Sequence, residues 1–76
     1  MQKVTEFIVK EIVDDKDAVK VDVVEESNAF VIKVTVAEQD IGRVIGKMGK
    51  TANAIRTLVR ALAGKNVKKK VIVKFN

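Results

Sequence analysis

The apolar residues of this 76-residue chain change period along its length, and the order of those changes restricts the fold more than any other feature. Val4, Phe7, Ile8 and Ile12 stand at helical spacing, with Lys3, Glu6, Lys10 and Glu11 on much of the remaining surface, which predicts an amphipathic helix over residues 2–13. Asp14-Asp15-Lys16-Asp17 ends that pattern with residues that favour turns. From Ala18 the period becomes two: Val19, Val21 and Val23 alternate with Lys20, Asp22 and Val24, as in a half-buried strand. After the polar turn Glu25-Glu26-Ser27-Asn28, a second alternating run sets Phe30, Ile32, Val34 and Val36 against Val31, Lys33 and Thr35. The two runs predict an antiparallel hairpin. Helical spacing returns at Ile41, Val44 and Ile45, is interrupted by Gly46-Lys47-Met48-Gly49, and resumes in Ala52, Ile55, Leu58, Val59 and Leu62 until Gly64 stops it. A last alternation, Val71, Val73 and Phe75 against Lys70, Ile72 and Lys74, predicts a closing strand.

A chain of this length has material for one small core, so all these faces must meet in a single domain covering residues 1–76. The expected class is α+β, in the order α-β-β-α-α-β, with the helices packed on one face of a three-stranded sheet. Composition then excludes much chemistry. Without Cys or His there is no disulfide framework, thiolate nucleophile, His-based triad or ordinary zinc site. No cofactor or metal is expected. With no Trp or Tyr and only three Phe, a platform of exposed stacking aromatics cannot be built either.

Charge is divided sharply along the chain. Residues 1–40 hold all ten acids and five lysines, a net −5, whereas residues 41–76 hold seven lysines, three arginines and no acid, a net +10. Uncompensated like charge weakens a fold, so a half-chain of one sign points to a polyanionic partner. No apolar run reaches membrane-spanning length, and MQKVTEFIVKEIV places acids inside its apolar stretch, unlike a signal peptide. A cytoplasmic location is expected.

The acid-free half opens on Ile41-Gly42-Arg43-Val44-Ile45-Gly46-Lys47-Met48-Gly49-Lys50. Gly49-Lys50-Thr51 matches the end of a Walker A loop, but the first glycine of that motif would fall on Val44. The same valine blocks a dinucleotide-binding G-x-G-x-x-G, and no buried parallel strand precedes either motif. What remains is helix, GxxG turn, helix. Two glycines let the backbone turn tightly and approach a ligand, and the following helix offers its positive end to an anion. Lys47 and Lys50 add ammonium charge at that point.

These residues resemble the GxxG signature of KH domains, in which such a loop clamps single-stranded nucleic acid. A helix and hairpin before the motif and one strand after it correspond to the bacterial type II arrangement. The resemblance covers nearly the whole chain and is closest to the small single-domain KH proteins of the KhpA family. It implies a non-catalytic RNA-binding protein that holds about four nucleotides, acts as an RNA chaperone or post-transcriptional regulator, and pairs with itself or with a second KH-domain protein. Carried over by position, the resemblance puts Gly46, Lys47, Met48 and Gly49 on the RNA backbone, assisted by Lys50. Ile41, Val44, Ile45, Ala52 and Ile55 would give an apolar floor for bases, with Gly42 in the same helix and Arg43 at the groove's edge. The strand Phe30–Val36 is expected to close the other side.

Plainer readings stand beside these. The GxxG can be a ligand-free helix–helix turn, and several of the apolar floor residues can belong mainly to the core. Lys65, Lys68, Lys69 and Lys70 are either a nucleic-acid patch or a solvated charge run. Arg56 and Arg60, one helical turn apart, can reach RNA, pair with a partner's acids, or solubilise the helix. The alternative function is a protein-interaction module that docks another KH protein or a ribosomal component. An enzyme is not expected, since the basic half contains no His, Cys or paired carboxylates for acid–base work.

Overall fold

Where the apolar period is helical the chain forms helices, and where it is two the chain is extended, in a computed structural model that describes residues 2–64 and 68–76. The elements are α1 (Gln2–Lys10), β1 (Lys20–Glu25), β2 (Ala29–Thr35), α2 (Ile41–Ile45), α3 (Lys50–Ala63) and β3 (Lys70–Phe75), in the α-β-β-α-α-β order expected. Short 3-10 turns at Lys16–Ala18, Glu38–Asp40 and Lys47–Gly49 join them. Among the described residues no helix is long and apolar enough to cross a membrane.

β1 pairs antiparallel with β2, Val23 facing Ile32, and β2 pairs parallel with β3, Ile32 lying beside Val73. β2 is therefore the middle strand of a mixed sheet, with β1 and β3 at its edges. This register collects Val21, Ile32, Val34, Val71 and Val73 on one face, and the helices cover that face. Val9 of α1, Val44 of α2, and Ile55 and Val59 of α3 complete the core at no more than 1% exposure. Each such side chain removed from water contributes about 1.5–3 kcal/mol before chain entropy is counted, so this cluster is the main cohesive term.

Two helical faces differ from the sequence expectation in the same way. On α1 the fully buried residues are Thr5 and Val9, whereas Phe7, expected on the inner face, is 68% exposed. On α3, Ala52, Ile55 and Val59 are buried, while Leu58 and Leu62 are 48% and 60% exposed. The apolar arc of each helix is wider than the sheet beneath can cover. Because α1 and α3 pack side by side, the surplus edges converge on the outside of the helical layer.

α1 ends as a regular helix at Lys10, although one further turn, in which the Val13 N–H donates to Val9 O at 3.2 Å, carries the chain to the predicted boundary. Beyond it the backbone is held from a distance. The fully buried Asp40, just before α2, accepts the Asp14 N–H on Oδ1 at 3.1 Å and the Asp15 N–H on Oδ2 at 3.0 Å. Arg43 closes the cluster, with Nη2 2.9 Å from Asp14 Oδ2 and Nε 3.5 Å from Asp40 Oδ1. An acid just before a helix ordinarily favours that helix's own start, but the Asp40 carboxylate makes no cap bond to α2 and secures the end of α1 instead.

The backbone N–H groups of Asp15 and Asp14 hold the Asp40 carboxyl below the usual aspartate range, with Arg43 and Lys16 assisting against burial. A depressed folded-state value means that ionised Asp40 stabilises the fold above the ordinary aspartate value of about 3.9, and that this contribution is lost as pH falls through the lower folded value. Asp40→Asn keeps the shape but sets an amide NH2 against one of the two backbone N–H donors. Thermal melts from pH 7 down to pH 2 are expected to show a lower midpoint for the variant at neutral pH and a difference that closes on acidification. A difference independent of pH would remove the carboxylate's charge from this account.

Candidate nucleic-acid interface

The segment between α2 and α3 is shaped by close approach. The Gly46 N–H donates to Gly42 O at 2.9 Å to end α2, and Gly46 then takes φ 73°, ψ 176°. A Cβ at Gly46 would stand 2.8 Å from the Thr51 backbone nitrogen and closer still to its hydroxyl oxygen, so no other residue fits without moving the start of α3. Gly49, at φ 78°, ψ 10°, makes the left-handed step into α3 and leaves that helix without a side-chain cap. Between the glycines Met48 also adopts the left-handed region, at φ 56°, ψ 28°, with its side chain 91% exposed. A non-glycine residue held there with an apolar side chain in water costs free energy that contacts within the fold do not return.

Lys47 lies inside this turn and Lys50 just after it, both exposed, and among the described residues neither is within ion-pair distance of a carboxylate. The uncapped first turn of α3 adds its partial positive charge at the same place. Of the other expected site residues, Ile41 and Ile45 are half-buried and Gly42 is exposed. Val44, Ala52 and Ile55 lie in the core, at 0%, 2% and 1% exposure, and so are not surface groups. Arg43 is engaged with Asp14 and Asp40, so its guanidinium is tied to the structural cluster.

The opposite wall is not the strand expected from sequence. β2 is hydrogen-bonded on both sides, so it has no edge to offer, and the strand beside α2 and α3 is β3. Arg60 donates from Nε to Val71 O at 3.1 Å and Arg56 donates from Nε to Val73 O at 3.2 Å. Arg56 also donates from Nη1 to Asn53 Oδ1 at 3.0 Å and lies over the Phe75 ring at 5.6 Å. These two arginines, left open between RNA, partner and solvent in the sequence, thus hold carbonyls on the free edge of β3 and fix α3 antiparallel to it. The turn consequently lies toward the Phe75 end of the groove. At the other end, Arg60, Ala63, Gly64, Lys69, Lys70, Val71 and Ile72 line a depression of about 570 Å³.

The basic run before β3 divides. Lys69 bonds Glu25 Oε2 at 2.6 Å and Glu26 O at 3.0 Å and stands 5.2 Å over the Phe30 ring, a strap between β3 and the hairpin. Lys68 and Lys70 are exposed, and Lys65 lies outside the described residues. Among the described residues, no group of three or more His, Cys, Asp or Glu could hold a metal ion.

Comparison with known proteins agrees with this geometry. The family model described as KhpA/KhpB, KH domain, matches residues 2–75. The chain is 46% identical over 75 residues to the RNA-binding protein KhpA of Caldanaerobacter subterraneus, covering 99% of both chains. It is 44% identical over 69 residues to the protein of that name from Listeria monocytogenes, covering 91% of both. With the KhpA of Aquifex aeolicus it shares 36% identity over 75 residues, 99% of this chain and 94% of the other. With the helix–GxxG–helix element in place and the match running through almost every residue, the chain belongs to the KhpA/KhpB family of KH domains, a family of RNA-binding proteins and not of enzymes.

Proposed function

We propose that this protein binds single-stranded RNA in the cleft between the α2–α3 pair and the edge of β3, holding about four nucleotides with the Gly46–Gly49 turn on the RNA backbone. The observation that carries this reading is the turn itself. Gly46 is required by contact with Thr51, Met48 is strained and exposed, and Lys47 and Lys50 are free of carboxylates. Gly42 supports the same reading, since a Cβ there would meet nothing within 4 Å and no contact inside the fold calls for its absence. Lys47, Met48, Gly49 and Lys50 meet phosphate and sugar, and Ile41, Gly42 and Ile45 present the surface on which bases lie. Four nucleotides neutralise few phosphates, so a tetranucleotide binds weakly, with a salt slope of about −2 to −3. The protein works in the cytoplasm as an RNA chaperone or post-transcriptional regulator, roles that suit weak and tolerant binding.

Weak modules gain affinity by pairing, because the second binding event becomes intramolecular. The surface for pairing is the outer seam of α1 and α3, where Val4, Phe7, Ile8, Leu58 and Leu62, with the stem of Lys3, line an apolar groove of about 370 Å³. Its rim carries Lys3, Glu6 and Lys10, both signs of charge, which suits a two-fold contact with a second copy of this chain. Leu58 is two residues from Arg56, about 200° around the helix, so the dimer leaves the RNA cleft open. The same exposed apolar seam favours the second reading, a module that docks another KH-domain chain.

Two measurements test these assignments. Lys47→Asp combined with Met48→Asp is expected to weaken binding of labelled single-stranded oligonucleotides by on the order of tenfold or more, with the melting midpoint unchanged, because both side chains are in solvent and Asp tolerates the left-handed region. Wild-type affinity in that variant would remove the turn from the binding site. Leu58→Glu with Leu62→Glu is expected to turn a sedimenting dimer into a monomer that keeps its tetranucleotide affinity. A wild-type monomer at high concentration that nevertheless captures a second KH protein would favour the docking reading.

A further inference from the structure

The helices cover one face of the sheet, and among the described residues no helix or strand lies on the other. Alternation brings Lys33 of β2 and Lys74 of β3 to that open face, and the parallel register makes them immediate neighbours. Like charges side by side on adjacent strands oppose folding. Asp22 is beside Lys33 on β1, yet among the described residues neither ammonium has a carboxylate within ion-pair distance. Lys33, Thr35, Lys74 and Asn76 line a shallow depression of about 220 Å³. Lys20 and Lys70 lie on the same face, so its described strand residues include four lysines against one aspartate.

Next to the lysine pair runs an apolar row across all three strands: Val24, Val31 and Ile72. Val31 is 5% exposed although no helix among the described residues covers it, because Val24 and Ile72 flank it, and Val24 remains 42% exposed. Cations beside an aliphatic strip reproduce the chemistry of the cleft. The two surfaces are also joined. β3 is the edge strand that walls the cleft, and one strand's width, about 5 Å, separates that wall from the open face. Since α3 runs antiparallel to β3, the Gly46–Gly49 turn and Lys74 stand toward the same end of the sheet.

We propose that Lys33 and Lys74, with the Thr35 hydroxyl, form a second phosphate-binding site on the open face of the sheet that takes the RNA strand beyond the segment held in the cleft. The inference rests on the reading of the cleft as the RNA site, and it extends the footprint from about four nucleotides to a strand that rounds the end of β3. An RNA strand fits better than an acidic protein, because the open face continues the cleft and repeats its pairing of charge with aliphatic surface.

The test uses two single-stranded RNAs sharing one core sequence, a tetranucleotide and a strand of about twelve nucleotides, titrated at several salt concentrations. Lys33→Thr with Lys74→Thr keeps strand propensity at exposed positions and should leave the melting midpoint near wild type. Tetranucleotide affinity is expected to be unchanged, while the longer RNA is weakened roughly 25-fold at ~0.1 M salt relative to ~1 M. Its salt slope should fall by about 1.4, the counterion release of two phosphate contacts on a single strand. An unchanged slope and affinity for the longer RNA would overturn the proposal. So would equal weakening of both RNAs, which would place the effect in the cleft, or a change in self-association alone, which would make the face a protein contact. The variant carrying Lys47→Asp and Met48→Asp separates the two readings: if it still binds the tetranucleotide, the cleft assignment fails, while the length-dependent loss on removing Lys33 and Lys74 still reports the sheet face.

Discussion

The parallel pairing of β2 with β3 requires a crossover that returns the chain to the same end of the sheet, and α2, the glycine turn and α3 are that crossover. Most of the functional geometry follows from it. The crossover must bury one side, which places Val44, Ile55 and Val59 over the sheet. It must also reverse direction between two helices within a few residues, which puts Gly46 against Thr51. Because β3 is the last strand and lies at the sheet's margin, its outer edge faces α3, and a cleft remains between them for Arg56 and Arg60 to span.

The division of charge along the chain takes on a spatial meaning in this arrangement. Where the acidic half meets the basic half, opposite charges are consumed in fastening the structure: Arg43 with Asp14 and Asp40, and Lys69 with Glu25. Among the described residues, Lys47 and Lys50 at the turn and Lys33 and Lys74 on the open face have no carboxylate within ion-pair distance. Self-repulsion that the fold does not relieve is relieved by a polyanion, so the basic surfaces are also the surfaces with the most to gain from RNA.

Element types and order were legible because hydrophobic period reports them directly, and the GxxG turn was legible because its glycines answer to local geometry. Which apolar residue faces what was legible only in part. Phe7 and Leu58 fit a helical stripe as well as Val9 and Val59 do, and only the side-by-side packing of α1 and α3 decides which of them the sheet covers. The Phe30–Val36 segment looked suited to wall the cleft, but its alternation is the same whether a strand lies in the middle of a sheet or at its edge. Asp40 stands just before α2 in sequence, yet its carboxylate's partners, the N–H groups of Asp14 and Asp15, are some 25 residues away.

By itself, then, the sequence determined the α+β class, the order of elements, the position of the glycine turn and the concentration of cations after residue 40. These are properties of period, of backbone conformation and of composition, all written within a few consecutive residues or in a simple count. Strand order, the free edge of β3, the exposed seam of α1 and α3, and the adjacency of Lys33 and Lys74 were decided only by tertiary structure. Each is a relation between residues far apart in the chain, fixed by which faces can be buried together in one core.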